Sequence, residues 1–97
     1  PNPPSADDCA AVIEWVRRQP RTKHAAGDSY HIKQFAETEA RADGARVYLW
    51  QDTFVLLCRR AGIATDGRLI GLSQMRIWSA RHPRSGPVVL VPPTPIR

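Results

Sequence analysis

Residues 68–78 read Arg-Leu-Ile-Gly-Leu-Ser-Gln-Met-Arg-Ile-Trp, and how this run folds decides the architecture. Gly71 stands in its middle. Beyond it, Met75 and Ile77 alternate with Gln74 and Arg76, the two-residue period of a strand. We read the run as extended; a helix beginning at Ser73 is the competing reading. Val88–Val91 is a further short strand candidate, and Pro92, Pro93 and Pro95 make the end of the chain extended and loose.

Upstream the periodicity is helical. Phe54, Leu57, Cys58 and Ala61 recur at i, i+3, i+4, i+7, one face of a helix that Asp52 would cap and Gly62 would stop. Residues 46–50 are β-branched and aromatic and read as a short strand or a hydrophobic link. Before them, Ile32, Phe35, Ala36 and Ala40 form the apolar face of a helix capped by Asp28 or Ser29. Gly44 is placed as the left-handed residue after it, and Lys33, Glu37 and Arg41 stand four apart on another face. The first helix is the clearest, over about residues 6–18. Ser5 and Asp8 approximate a capping box, Cys9, Val12, Ile13 and Val16 make the inward stripe, and Gln19-Pro20 ends it. Trp15 lies off part of that stripe, so it either widens the buried face or stands exposed.

These elements make an α+β fold: a three-helix core with a C-terminal β-hairpin or short strands. Ninety-seven residues leave room for one small domain, taken as residues 1–91 with a Pro-rich tail over 92–97. That length excludes a TIM barrel or a doubly wound nucleotide-binding fold. The longest apolar run, 54–58, is far short of the roughly 20 residues a membrane helix needs. The chain opens on Pro1 with no signal peptide in view, so an excerpt from a longer protein, such as the terminal domain of an enzyme, stays open. Two cysteines far apart, Cys9 and Cys58, suit buried free thiols better than a disulfide scaffold. This points to a reducing, cytoplasmic setting.

Charge is divided unevenly. Residues 1–52 carry seven Lys/Arg against eight Asp/Glu, whereas residues 53–97 carry seven Arg against Asp66 alone. Twelve of the fourteen basic residues are Arg, a side chain suited to bidentate contact with phosphate or carboxylate. A GC-rich genome also favours Arg, but it does not explain the missing acids. Three acid-free clusters stand out: Arg17, Arg18, Arg21, Lys23 and His24; Arg59 and Arg60; and Arg76, Arg81 and Arg84 with His82.

Residues 54–63, Phe-Val-Leu-Leu-Cys-Arg-Arg-Ala-Gly-Ile, resemble the first helix and turn of a helix-turn-helix. The resemblance implies a second helix close behind, but Thr65, Asp66, Gly67 and Gly71 interrupt that stretch. The second helix then either starts near Ser73 with Gln74 and Arg76 exposed, or is replaced by a wing-like hairpin over 69–78 that tracks phosphates, as in a winged helix.

No catalytic constellation is visible. His24 and His82 have no acid close by, and His31 sits near Asp28 as a surface histidine would. Ser29, Ser73 and Ser79 lack nucleophile-elbow context, and no glycine-rich phosphate loop or metal-ligand spacing occurs. No enzyme activity, cofactor or metal is therefore expected. The leading expectation is a non-catalytic nucleic-acid-binding domain. Its phosphate contacts would be Arg59, Arg60, Arg76, Arg81 and Arg84 with Arg17, Arg18, Arg21 and Lys23, and Gln74 would read bases. The alternative is a protein-interaction module, such as a small phage or plasmid inhibitor, that uses Trp and Arg on a flat surface. The rings of Tyr48, Trp50 and Trp78 are candidates to stack either on bases or on a partner protein.

Overall fold

Ser5 opens the first helix as its sequence predicts. Its hydroxyl accepts the Asp8 N–H at 3.1 Å while Asp8 Oδ2 accepts the Ser5 N–H at 3.4 Å, a reciprocal capping box. The computed structural model describes residues 3–82. Within them the order is α1 (Ala6–Arg17), β1 (Gly27–Asp28), α2 (Ser29–Glu39), α3 (Gln51–Arg60), β2 (Leu69–Ile70) and α4 (Gln74–Arg81). The fold is α+β. The expected strand at 88–91, the tail and Arg84 lie outside the described residues.

The helical stripes meet in one core. Val12, Trp15 and Val16 of α1, Ile32 and Ala36 of α2, and Phe54, Leu57 and Cys58 of α3 are buried together with Ile70, Leu72 and Ile77. Trp15 widens the α1 face: it is buried, and its indole N–H donates to Glu39 Oε1 at 3.2 Å. Cys9 and Cys58 are unbridged. Asp28 Oδ1 caps α2 by accepting from the Tyr30 and His31 N–H groups. Trp50, not Asp52, occupies the cap position of α3, with no side-chain bond, and Asp52 sits within the first turn. Gly62 adopts φ +84° just past the end of α3, where a glycine avoids the Cβ clash of left-handed backbone.

The deciding run behaves in two ways. Residues 69–72 are extended, as expected. From Ser73 the chain turns helical, so the competing reading holds and the strand expected at 74–78 is corrected. A strand there would need a neighbour, and the two available ones are already engaged with 69–72. On one side are residues 22–28, through Thr22 N–H to Gly71 O at 3.0 Å and Ala26 N–H to Ile70 O at 3.1 Å. On the other is Ala64, whose carbonyl accepts from Gly71 at 2.7 Å. A helix resolves this: Ser73 Oγ caps it, Ile77 reaches the core, and Arg81 reaches Glu39.

Two further expectations change. β2 pairs antiparallel with β1, far upstream, and not within a C-terminal hairpin. Residues 65–70 form only a tight turn held by Asp66 Oδ1, which accepts from Arg68 and Leu69. The link between α3 and α4, residues 61–73, is also much longer than the three or four residues of a helix-turn-helix turn.

Residues 46–50 form no strand. They run as a link pinned to α2 by the Glu37 backbone carbonyl, which accepts the Val47 N–H at 2.8 Å, and by side chains of α2. Glu37 Oε2 accepts the Leu49 N–H at 3.0 Å and Lys33 Nζ at 3.1 Å, and Lys33 Nζ also donates to Leu49 O at 3.2 Å. Lys33 and Glu37 are both buried, so the i,i+4 pair expected on this face is an interior one. Val47 and Leu49 consequently point into the core while Tyr48 and Trp50 face outward.

Candidate functional site

α2 and α4 lie side by side and are tied at both ends. At their starts, Gln74 Oε1 accepts the Asp28 N–H at 3.0 Å. At their finishes, the Arg81 guanidinium forks onto the Glu39 carboxylate, with Nε to Oε2 at 2.8 Å and Nη2 to Oε1. Arg81 Nη1 also donates back to Ile77 O. These bonds hold the Glu39 carboxyl below its ordinary range, against the opposing effect of burial.

Between the two ties lies an open groove of about 850 Å³. Phe35 and Gln34 from α2, Met75 and Trp78 from α4, and Thr22 and Leu72 from the intervening segments are among its lining residues, none of which is Asp or Glu. Met75 is 77% exposed, the highest of the large apolar side chains, and Trp78 is 39% exposed. The His82 ring stacks on Trp78 at 4.0 Å with an interplanar angle of 12°, and His82 Nδ1 lies 2.9 Å from Trp78 O. The His82 ring therefore covers one face of the indole.

The basic residues separate into two groups. Lys33, Arg41, Arg46 and Arg81 are paired with Glu37, Asp8 and Asp43, Glu37, and Glu39 respectively. Arg17, Arg18, Arg21, Lys23, Arg59, Arg60, Arg68 and Arg76 are exposed and make no ion pair among the described residues. Backbone contacts gather most of this second group. The segment after α1 lies against the start of α4: Arg21 bridges Leu72, and Ser73 N–H donates to Pro20 O at 2.8 Å. The turn after α3 lies on the opposite side of Gly71, through Ala64. The ends of α1 and α3 and the beginning of α4 thus converge on residues 69–73. Neighbouring extended segments sit about 4.8 Å apart.

Not every expected contact residue belongs to this end. Arg81 is taken up by Glu39. Arg18 lines a separate shallow depression together with Asp7, Glu14, Arg41 and Asp43. Gln74, expected to read bases, has its amide oxygen committed to Asp28. The sequence reading missed Arg68, which is exposed in the 65–70 turn, and it missed the groove as a whole. Phe35 is named only as core in that reading, and Met75 only as part of a strand. A signal for the groove does exist once 74–81 is helical, because Met75 and Trp78 then stand three apart on one face.

His31 Nδ1 lies 3.4 Å from Asp28 Oδ2, on the exposed start of α2. Among the described residues no group of three or more His, Cys, Asp or Glu could hold a metal ion. No described helix is long and apolar enough to cross a membrane. No family model matches this chain, and neither does any curated protein or solved structure.

Proposed function

We propose that this chain is a non-catalytic nucleic-acid-binding module whose affinity comes from phosphate contacts. The observation that carries the reading is the division of the basic residues. Every paired Lys or Arg belongs to α2, the link after it, or Arg81. Of the eight cations unpaired among the described residues, Arg21, Lys23, Arg59, Arg60, Arg68 and Arg76 belong to segments that meet around residues 69–73, and Arg17 and Arg18 stand at the end of α1. Unpaired guanidinium groups grouped without carboxylates attract polyanions, and the contacts release condensed counterions. Within this reading α4, capped by Ser73 and with Arg76 exposed, is the helix that would approach the phosphates.

The test is binding to a labelled random-sequence oligonucleotide across a salt series. Affinity should fall linearly in log–log form, by roughly a hundredfold between 50 and 200 mM salt for about four phosphate contacts. Replacing Arg59 and Arg60 together by Ala should flatten that slope and leave the thermal midpoint nearly unchanged. Absence of binding at low salt, or a salt-independent affinity, overturns the proposal.

A protein-interaction role has one observation of its own. Tyr48 and Trp50 are 57% and 61% exposed on an extended segment whose alternate residues are core, so two rings share one outward side. That reading expects a stoichiometric protein partner that is lost on Trp50→Ala.

A further inference from the structure

We infer that the groove between α2 and α4 takes unpaired nucleobases, so that the module prefers single-stranded nucleic acid to duplex. This deepens the phosphate-binding proposal and rests on it.

Three observations converge on a planar, neutral, polar-edged ligand joined to a polyanion. The first is the aromatic wall. Trp78 lines the groove with one face of its indole stacked on His82, and Phe35 lines it from α2. A base added beside these rings gains stacking. The second is the edge chemistry. Gln34 places at the groove a side-chain amide that is unengaged among the described residues. The Thr22 and Thr38 hydroxyls, whose protons go to His24 O and to Gln34 and Phe35 O, keep lone pairs to accept, and no lining carboxylate would repel a phosphate. Such groups can satisfy the donors and acceptors of a base edge, which would be costly to bury against a purely apolar wall. The third is the charge close by in the chain. Arg21 and Lys23 adjoin the lining residue Thr22 in sequence, and Arg76 adjoins the lining residue Met75. None of the three is ion-paired among the described residues.

The dimensions suit a short stretch of strand. α4 spans eight residues, about 12 Å at 1.5 Å per residue, which matches roughly three bases at about 3.4 Å each. The ties at Asp28–Gln74 and Glu39–Arg81 close both ends of the groove, so bases would enter from the solvent side with the backbone lying along the rim. A duplex presents its bases stacked and paired and cannot offer them to such a groove without being opened.

The experiment compares three labelled ligands of equal length at one moderate salt concentration: oligo-dT, the same strand with abasic sites throughout, and a random duplex. Fluorescence anisotropy is the readout, with wild type, Trp78→Leu and Arg59→Ala/Arg60→Ala as proteins. Circular dichroism verifies that each variant is folded, and Trp78→Leu keeps an apolar side chain while removing the ring. The expected result is that oligo-dT binds about tenfold or more tighter than the abasic strand and the duplex, and that Trp78→Leu loses most of that advantage and leaves abasic binding unchanged. Equal binding of all three ligands, or an oligo-dT preference untouched by Trp78→Leu, overturns the groove inference and leaves the phosphate proposal standing. No binding of any ligand at low salt overturns both. Concentration-dependent dimerisation in light scattering that Trp78→Leu abolishes also overturns it, because the groove would then hold a second copy of the chain.

Discussion

Glu37 Oε2 accepts the backbone N–H of Leu49 at 3.0 Å, a side chain standing where a neighbouring strand's carbonyl would be. The same oxygen accepts Lys33 Nζ, and Lys33 closes the circuit on Leu49 O. The carboxylate therefore satisfies a buried charge and a buried peptide together, and it sets which residues of 46–50 face inward.

Removing Glu37 leaves both groups without their partner. Breaking one side of a buried pair costs about 3–5 kcal/mol, because the remaining charge stays desolvated. Glu37→Ala should lower stability in urea unfolding by about that amount. Glu37→Gln should lower it less, since an amide oxygen still accepts from Leu49. A loss no larger than the ~1 kcal/mol of an exposed pair would show that the network is open to water.

Gly27 has no room for a side chain. A Cβ there would stand 2.2 Å from Leu72 O, a backbone atom, and 2.7 Å from Ile32 Cδ1. Gly27→Ala should destabilise by about 3 kcal/mol, because β1 must move off β2. Gly44 offers the comparison: its φ is +79° and nothing lies within 4 Å of an added Cβ. Gly44→Ala should cost only the ~1 kcal/mol of left-handed backbone strain. Thermal unfolding of the two variants side by side tests the ordering.

Acid should loosen the α2–α4 pair. The Arg81 hydrogen bonds hold the Glu39 carboxyl below its ordinary 4.5, burial opposes them, and the Trp15 N–H adds to them. A depressed carboxyl contributes stability that is complete above its unfolded value and is lost as pH falls through the lower folded value. Wild-type stability should thus decline below about pH 4.5 more steeply than that of Glu39→Gln. At neutral pH the variant should be less stable by about 1 kcal/mol. Identical pH profiles would remove Glu39 from the linkage.

Burial pushes the Cys58 thiol up to about 12, so it is protonated and shielded at neutral pH. A thiol-specific reagent should label Cys9, which is partly exposed, in the folded chain, and Cys58 only on unfolding. Labelling of Cys58 at the rate of Cys9 in native buffer would contradict this.

Local signals were the legible part of the fold. The Ser5–Asp8 box, the Asp28 cap and the stripes of α1 to α3 each lie within a few residues of what they specify. The illegible parts depend on distant partners. Met75-Arg76-Ile77-Trp78 alternates like a strand, but 69–72 already occupies the neighbouring backbones, and helix is what remains. Residues 46–50 look like a strand because Val47 and Leu49 do alternate inward, yet their partner is a carboxylate on α2. For the candidate site, charge clustering was visible along the chain. Which cations are free was not, because Arg81 and Arg76 differ only in whether Glu39 lies opposite.

The backbone bonds between 22–28 and 69–72 span more than forty residues of chain. They impose an order of events on folding. As the chain leaves the ribosome, α1 and α2 can form early, but β1 has no neighbour until β2 has been synthesised. The α2–α4 groove cannot exist until residue 81 is free to reach Glu39. Long loops of this kind must close before their contacts stabilise anything, which slows folding relative to a plain helical bundle. Truncation anywhere before α4 should therefore leave secondary structure without a settled tertiary fold, and the α2–α4 groove forms only after the residues of α4 are available.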